Sequence, residues 1–360
     1  MRNNLRRIES MNSRIRGGGI VVALFAVLYS IFQSTPYDLS IGVDIGVVAI
    51  GVLGVTAAVG GAGQLNLGQG GFMTIGGYSV AYLTTNLKVP FLLGLFVGVV
   101  AAVLAGILVG YIALRLHGNY LAMATLAAGW IIYSLVLANT ALGGSEGFAN
   151  IPLPSIGGWV LSSPIQQYWM VWIVVLLSYG AAWLLFQTHV GRELQAIRDD
   201  EVAAKCVGIN VTLRKVQIFA FCALLGSLAG GIDASIQSAI DPNLFGPTES
   251  FQLFVLAVIG GLGSLVGSVV AASIVIWLTQ VIPSTGNYAI LALGAIAVFV
   301  MATLPTGIGG LGSRIFDYLY LKFFHRWSGP PAGKSDEEQG FPVNSDTLGL
   351  DSRESPGGLS

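Results

Sequence analysis

Three short stretches hold most of the residue types that could bind a solute or transmit a force. The first runs Gly60-Gly61-Ala62-Gly63-Gln64-Leu65-Asn66-Leu67-Gly68-Gln69-Gly70-Gly71-Phe72 and continues through Thr74 to Gly76-Gly77-Tyr78. Glycine at this density weakens a helix, and Gln64, Asn66 and Gln69 add donors and acceptors inside an otherwise apolar region. Non-helical backbone is tolerated at membrane depth where it lines a cavity or is buried in protein, and such interruptions point to a solute path. Two readings stand: Gln64, Asn66, Gln69 and Thr74 line a path, or small residues let helices approach closely. Packing alone would not call for three amides.

The second stretch is Gly260-Gly261-Leu262-Gly263-Ser264-Leu265, which repeats the pattern of Gly60-Gly61-Ala62-Gly63-Gln64-Leu65. Both close an apolar run, one in each half of the chain, as expected of two structurally related halves. Gly260, Gly261, Gly263 and Ser264 are therefore the matching path candidates. The third stretch, 191–210, is polar. Here Leu194, Ile197 and Ala204 can share one helical stripe, while Arg192, Glu193, Arg198, Glu201 and Lys205 take the other faces. Ala203 lies beside that stripe, and Gly208 and Asn210 are stop signals. A short amphipathic helix of this kind either docks into a partner or rests on a membrane surface.

Other chemistry finds little support. Three scattered histidines, with no paired carboxylates on one run, supply no catalytic cluster and no metal set. Cys206 and Cys222, 16 residues apart, form no disulfide framework. Gly333-Lys334-Ser335 lacks the leading glycine and the strand that a phosphate-binding loop needs. An ATPase, if one is used, belongs to another chain. A net charge of -1 argues against nucleic acid as a partner. Asp44 and Asp233 lie near the ends of apolar runs, where a carboxylate either serves function or reaches lipid headgroups. An ion-coupled carrier would more often bury such groups at mid-membrane.

The elements that must position these residues are membrane helices. Only 10% of the 360 residues are charged and 54% are apolar, against about 25% charged in a soluble domain. Apolar runs at 18–34, 41–59, 70–87, 90–114, 119–139, 168–186, 216–237, 251–282 and 287–304 have the length, about 20 residues, that a spanning helix needs. The fold class expected is an all-α integral membrane protein, a polytopic bundle of about 8–10 segments with discontinuous helices. Arg2, Arg6, Arg7, Arg14 and Arg16 place the tail 1–17 in the cytoplasm by the positive-inside rule. Arg115, His117 and the loop 187–215 then fall on the same side. Asp38, Glu146, Asp241 and Glu249 fall outside, with Lys88 the one basic exception.

Arg314, Lys322 and Arg326 put the C-terminal tail inside as well, which requires an even number of crossings. The segment 251–282 must therefore be divided at its glycines. The two halves either cross separately, or the first dips in and the pair returns. The membrane domain covers 18–312, and the polar tail 313–360 is expected to be largely disordered. Trp159, Trp169 and Trp172 flank a span, as in an interfacial aromatic belt. The loop 140–167, with Glu146, is the longest on the outside and the natural contact for an external partner.

Several of these motifs agree with one family. Glu201-x-Ala203-Ala204-x-x-x-Gly208 resembles the coupling motif of ABC importer permeases, with the glutamate one residue further out than usual. Arg198-Asp199-Asp200-Glu201-Val202-Ala203-Ala204 and Gly208-Ile209-Asn210-Val211 resemble the branched-chain amino-acid permease subunits, specifically the second of their two permease chains. So do Gly63-Gln64-Leu65-Asn66-Leu67-Gly68-Gln69 with Gly76-Gly77-Tyr78, and Val258-Ile259-Gly260-Gly261-Leu262-Gly263-Ser264. The resemblance covers about residues 40–312. It implies a heteromeric importer in a bacterial plasma (inner) membrane, with two related permease chains, two cytoplasmic ABC ATPases that bind the ATP, and an extracytoplasmic substrate-binding protein. The chain itself would bind no cofactor and catalyse no reaction. Residues 191–208, with Arg192, Glu193, Arg198, Glu201, Ala203, Ala204 and Gly208, would couple it to the ATPases. Gln69 stands where many relatives have histidine, which leaves branched-chain or neutral amino acids and urea or amides open as substrates. The amides favour a neutral amino acid.

Overall fold

The computed structural model describes residues 35–113, 116 and 118–281, together with Val22. All of them fall within one unit, residues 1–315. The expected tail 1–17, the runs 18–34 and 287–304, Arg115, His117 and the tail 313–360 lie outside the described residues.

Each described apolar run becomes a helix, the one structure that satisfies its own backbone without water or a neighbouring strand. In chain order these are α1 (Pro36–Ala62), α2 (Gln69–Thr85), α3 (Phe91–Ala113), α4 (Asn119–Ala138), α5 (Pro164–Gln187), α6 (His189–Asp199), α7 (Glu201–Cys206), α8 (Val211–Ile236), α9 (Pro247–Gly260) and α10 (Leu265–Val281). Helices α1, α3, α4, α5 and α8 are each long and apolar enough to cross a membrane. The starts follow local chemistry. Thr35 accepts from the Asp38 amide ahead of Pro36, and Ser163 forms a capping box with Gln166 ahead of Pro164.

Helix α1 is the axis. Its apolar window is 94% buried, whereas those of α3, α4 and α5 are only 22%, 28% and 33% buried. A helix apolar on every side belongs in the middle of a bundle, and one that leaves apolar faces open belongs at its rim. Helices α8, α5 and α10 pack on α1, and α8 also packs on α2 and α3. Small residues set that last contact: a Cβ on Gly230 would lie 2.0 Å from the Met73 carbonyl oxygen. Trp172 differs from the belt expected at sequence level. It is 1% exposed and donates its indole N–H to the Gly42 carbonyl at 3.1 Å, so it pins α5 to α1, while Trp159 is exposed.

The ends of the bundle are built differently. Away from the 187–215 loop, strand β1 (Phe148–Ala149) pairs antiparallel with β4 (Ala239–Ile240), and β2 (Ser155–Ile156) forms a hairpin with β3 (Trp159–Val160). There Asp44 gathers three helices. Its carboxylate accepts from Gln237 Nε2 at the end of α8 (3.4 Å) and from Gln280 Nε2 at the end of α10 (3.1 Å). At the other end, α1 stops at Gly63, whose left-handed φ of 65° suits glycine.

The division expected within 251–282 is present. Helices α9 and α10 meet at a 119° bend, with Gly261 at φ 101° and Gly263 at φ 98°. Helix α10 runs from the bend back to the end where Asp44 lies, since its Gln280 reaches that carboxylate. The bend touches the end of α1 backbone to backbone: a Cβ on Gly60 would sit 2.3 Å from Gly263 Cα. No side chain can yield there. Gly60→Ala is expected to cost about 1–3 kcal/mol or more by overpacking, and to lower the apparent melting temperature in detergent by several degrees. Gly180→Ala, which adds its methyl to open space, should leave melting unchanged. Equal melting of the two variants would refute the contact.

Candidate functional site

The interrupted stretch between α1 and α2 is held by its own amides. Asn66 is fully buried; its Nδ2 donates to Gln69 Oε1 at 3.1 Å and its Oδ1 accepts from the Gly68 amide at 3.0 Å. Gln69, also fully buried, passes the chain on through Nε2 to the Cys222 carbonyl of α8 at 3.1 Å. Neighbouring helices close the rest. The Leu67 amide donates to Thr125 Oγ1 of α4 at 3.0 Å, and the Gly70 amide to Ser250 Oγ of α9 at 2.8 Å. Thr74 returns its hydroxyl to the Gly70 carbonyl at 2.9 Å. Most of this polarity is thus spent on backbone that a broken helix leaves unpaired. Gln64 is the exception: its Nε2 donates to Ala62 O at 3.2 Å, while its Oε1 is buried without a partner among the described residues.

The second break is tied in the same way. Ser264 Oγ accepts from the Gly267 amide at 3.1 Å, capping α10. Ser268 Oγ lies 2.7 Å from Thr56 Oγ1 of α1. Gly260 packs so closely on the start of α10 that a Cβ would meet Ser268 Cα at 2.6 Å. The two glycine motifs, 200 residues apart in sequence, are direct neighbours.

The 187–215 loop folds as two short helices, α6 and α7, where the sequence stripe suggested one. Asp200 breaks it. Its backbone is extended, and its Oδ1 accepts from the Val202 and Ala203 amides at 2.8 and 3.0 Å, so it N-caps α7. Leu194, Ile197 and Ala204 are nevertheless all buried, as their spacing implied. Gly208 ends α7 with a left-handed φ of 84°. Asn210 proves to be a start signal, since its Oδ1 accepts from the Leu213 amide and caps α8.

Most of the charges in the loop bind one another. Glu201 accepts from Lys205 at 2.9 Å and from Lys215 at 2.8 Å, and the Lys215 side chain is 1% exposed. Burial alone would raise the Glu201 carboxyl; the hydrogen bonds from Lys215 and Lys205 outweigh it and hold the group at about 2. Arg214 grips Glu193 through Nε and Nη2, at 2.6 and 3.1 Å, and that hydrogen bonding holds the Glu193 carboxyl below its ordinary value. Among the described residues Arg192 reaches the Gln187 carbonyl, at 3.4 Å, and no carboxylate. With this polar side self-satisfied, α7 turns Val202, Ala203, Cys206 and Val207 outward. Val202 is 70% and Val207 77% exposed.

Arg198 joins the three stretches. Its Nη1 donates to the Gly60 carbonyl at 2.8 Å, and its side chain lies against both Gly63 and Gly263. Sequence reasoning had not distinguished it from the other loop cations. It also passed over Lys215, which beside Arg214 reads as one more topology-setting charge. Thr125 and Cys222 were missed because each looks like a small residue in an apolar run, and Ser250 because it sits just ahead of one. Their one signal is that the amides at 64–69 needed partners.

The described residues form a polytopic helical bundle with a bent helix pair and an amphipathic loop at one end, an all-α membrane protein. The model for the permease component of the branched-chain amino acid transport system matches residues 39–304. Over 280 residues the chain is 31% identical to the high-affinity branched-chain amino acid transport system permease protein LivM of Salmonella typhimurium and of Escherichia coli K12, covering 71% of this chain and 66%, just under two thirds, of theirs. It is 26% identical over 179 residues to LivH of Escherichia coli K12 (46% of this chain, 58% of LivH), and 28% identical over 269 residues to the ribose import permease protein RbsC of Haemophilus influenzae (71% and 80%). No solved structure matches. The chain belongs to the branched-chain amino acid permease family.

Glu201→Gln would leave the Lys215 ammonium buried without its carboxylate, a loss of about 3–5 kcal/mol for a buried pair. Amide hydrogen exchange over 201–215 should accelerate accordingly, and the double variant Glu201→Gln, Lys215→Met should recover most of the protection. Because the folded carboxyl is held below its ordinary 4.5, the pair contributes fully above that value and is lost as pH falls toward about 2. Unchanged exchange in Glu201→Gln would remove the ion pair from the account of this loop.

Proposed function

We propose that the chain is one permease subunit of an ATP-binding-cassette importer for branched-chain or other neutral amino acids. The observation that carries this reading is the outward face of α7. Four apolar or weakly polar side chains, Val202, Ala203, Cys206 and Val207, stand exposed on a loop most of whose charges are bound to one another. On a water-facing loop, exposed apolar side chains in contiguity mark an interaction surface. Residues 187–215 carry the positive-inside signature, so the partner is cytoplasmic, and an ATPase cleft suits a short helix with an apolar outer face.

The other components follow from the same reading: a second permease chain, two ABC ATPases that hold the ATP, and an extracytoplasmic binding protein that meets the 140–167 loop. The membrane is the bacterial plasma (inner) membrane, with both chain termini cytoplasmic. The path runs past the helix breaks. Gln64, with Oε1 left open, is the residue there best placed to meet a polar solute, and Gly260, Gly261, Gly263 and Ser264 are the path candidates from the second break. The polar side chains of the 60–72 stretch are amides with no charge of their own, which supports a solute that is neutral overall.

The test is reconstitution of the chain with its companions in proteoliposomes. Leucine uptake should require ATP on the loop side and exceed uptake of urea. Val202→Asp with Val207→Asp should weaken ATPase retention by at least about tenfold, some 1.4 kcal/mol. Uptake that proceeds without ATP, or a double variant that retains the ATPase fully, would overturn the importer reading; preference for urea would reassign the substrate.

A further inference from the structure

Arg198 is itself exposed, but its guanidinium reaches from the loop to the end of α1. It occupies the last turn of α6, two residues before Asp200 divides that helix from α7. Its Nη1 donates to the Gly60 carbonyl at 2.8 Å. That carbonyl sits in the last turn of α1, where carbonyls lack partners within the helix and carry its negative end. Helix α1 has no basic residue in its own last turn. Arg198 supplies the missing charge from another element.

The same side chain touches both breaks. A Cβ on Gly63 would lie 3.1 Å from Arg198 Cγ, and one on Gly263 would lie 3.8 Å from its Nη1. Gly60 and Gly263 are themselves in backbone contact. The other cations near it are engaged elsewhere: Arg214 on Glu193, Lys205 and Lys215 on Glu201. Among the described residues Arg198 has no carboxylate in ion-pair range, so the charge of its guanidinium is directed at a helix end. Glycines that meet backbone to backbone leave no side chain to deform between them, so a displacement of one break is handed to the other.

We propose that Arg198 is the transmission contact of the permease. It fastens the junction of α6 and α7 to the end of α1 where the α9–α10 bend touches it. A partner that moves the loop therefore moves both helix breaks together. This rests on the importer reading above. Arg198 is a positioning residue: it touches neither solute nor nucleotide, and acts through Gly60 and Gly263.

Two measurements test it. The first uses the purified full chain without companions. Amide exchange at 58–63 and 260–264 should rise in both segments in R198A and R198Q, and in neither in R214A, which loosens the loop without touching the breaks. Unchanged exchange at either break in R198A overturns the proposal, whatever the importer assay shows. The second uses the reconstituted complex. Leucine molecules imported per ATP hydrolysed should fall roughly 5- to 100-fold in R198A and R198Q, the range expected of a coupling contact. R198K, which keeps the charge, should recover part of the loss. Uptake and hydrolysis falling in proportion would mark a merely structural residue and overturn the proposal. ATP-independent uptake by the wild-type complex is the separate result that would sink the importer reading.

Discussion

A helix that stops inside apolar surroundings leaves carbonyls and amides that water cannot reach, each costly unless paired. Among the described residues three helix ends meet this constraint to different degrees, at Gly63, which is exposed, and at Gly68 and Gly260, which are buried, and much of the described architecture answers them. The end of α1 takes a donor from Arg198 and one from Gln64. The start of α2 takes acceptors from Thr125, Ser250 and Asn66. The α9–α10 bend is closed by Ser264 and its own left-handed glycines. Because the partners come from α4, α6, α8 and α9, satisfying the breaks also assembles the bundle.

The same constraint explains why α1 is central. Its two ends are the points where distant parts of the chain are joined. Asp44 gathers α8 and α10 at one end, and Gly60 gathers α6 and the α9–α10 bend at the other. Between them the helix is apolar on every side and tied by Trp172, Cys222 and Thr56 to its neighbours. Hydrogen bonds between helices in a membrane are modest singly, often under about 1–2 kcal/mol. Here their placement at both ends fixes where α8 and α10 stand along the axis.

Much of this was legible in the amino-acid sequence. Length and apolarity located the described membrane helices to within about five residues. Parity of the basic segments required the 251–282 run to be divided, and the glycines said where. The spacing of Leu194, Ile197 and Ala204 identified the buried side of the loop, although the cap formed by Asp200 was not foreseen. Pairings were the part that could not be read. Gln69 with the Cys222 carbonyl spans 153 residues and Thr56 with Ser268 spans 212; only a folded bundle brings them together. For the same reason Trp172 read as an interfacial aromatic. Its spacing from Trp169 fits a belt, and nothing local shows that Gly42 lies opposite.

The charges divide into two kinds, and the division bears on how such a loop can work. Glu193 with Arg214, and Glu201 with Lys205 and Lys215, hold the loop to the start of α8 and set its shape. Among the described residues Arg198 is the loop cation that reaches the helix breaks, beside the apolar packing of Leu194 on the end of α1. A loop pinned only by its own ion pairs could move as a body without consequence for the bundle. A loop joined through Arg198 to two glycine contacts, and seated by Leu194 on the end of α1, cannot, because close-packed backbone shifts between discrete arrangements and does not deform continuously. The rigidity at Gly60 and Gly263 and the single cation above them are therefore one device: the first makes the breaks move as a unit, and the second gives the loop a hold on them.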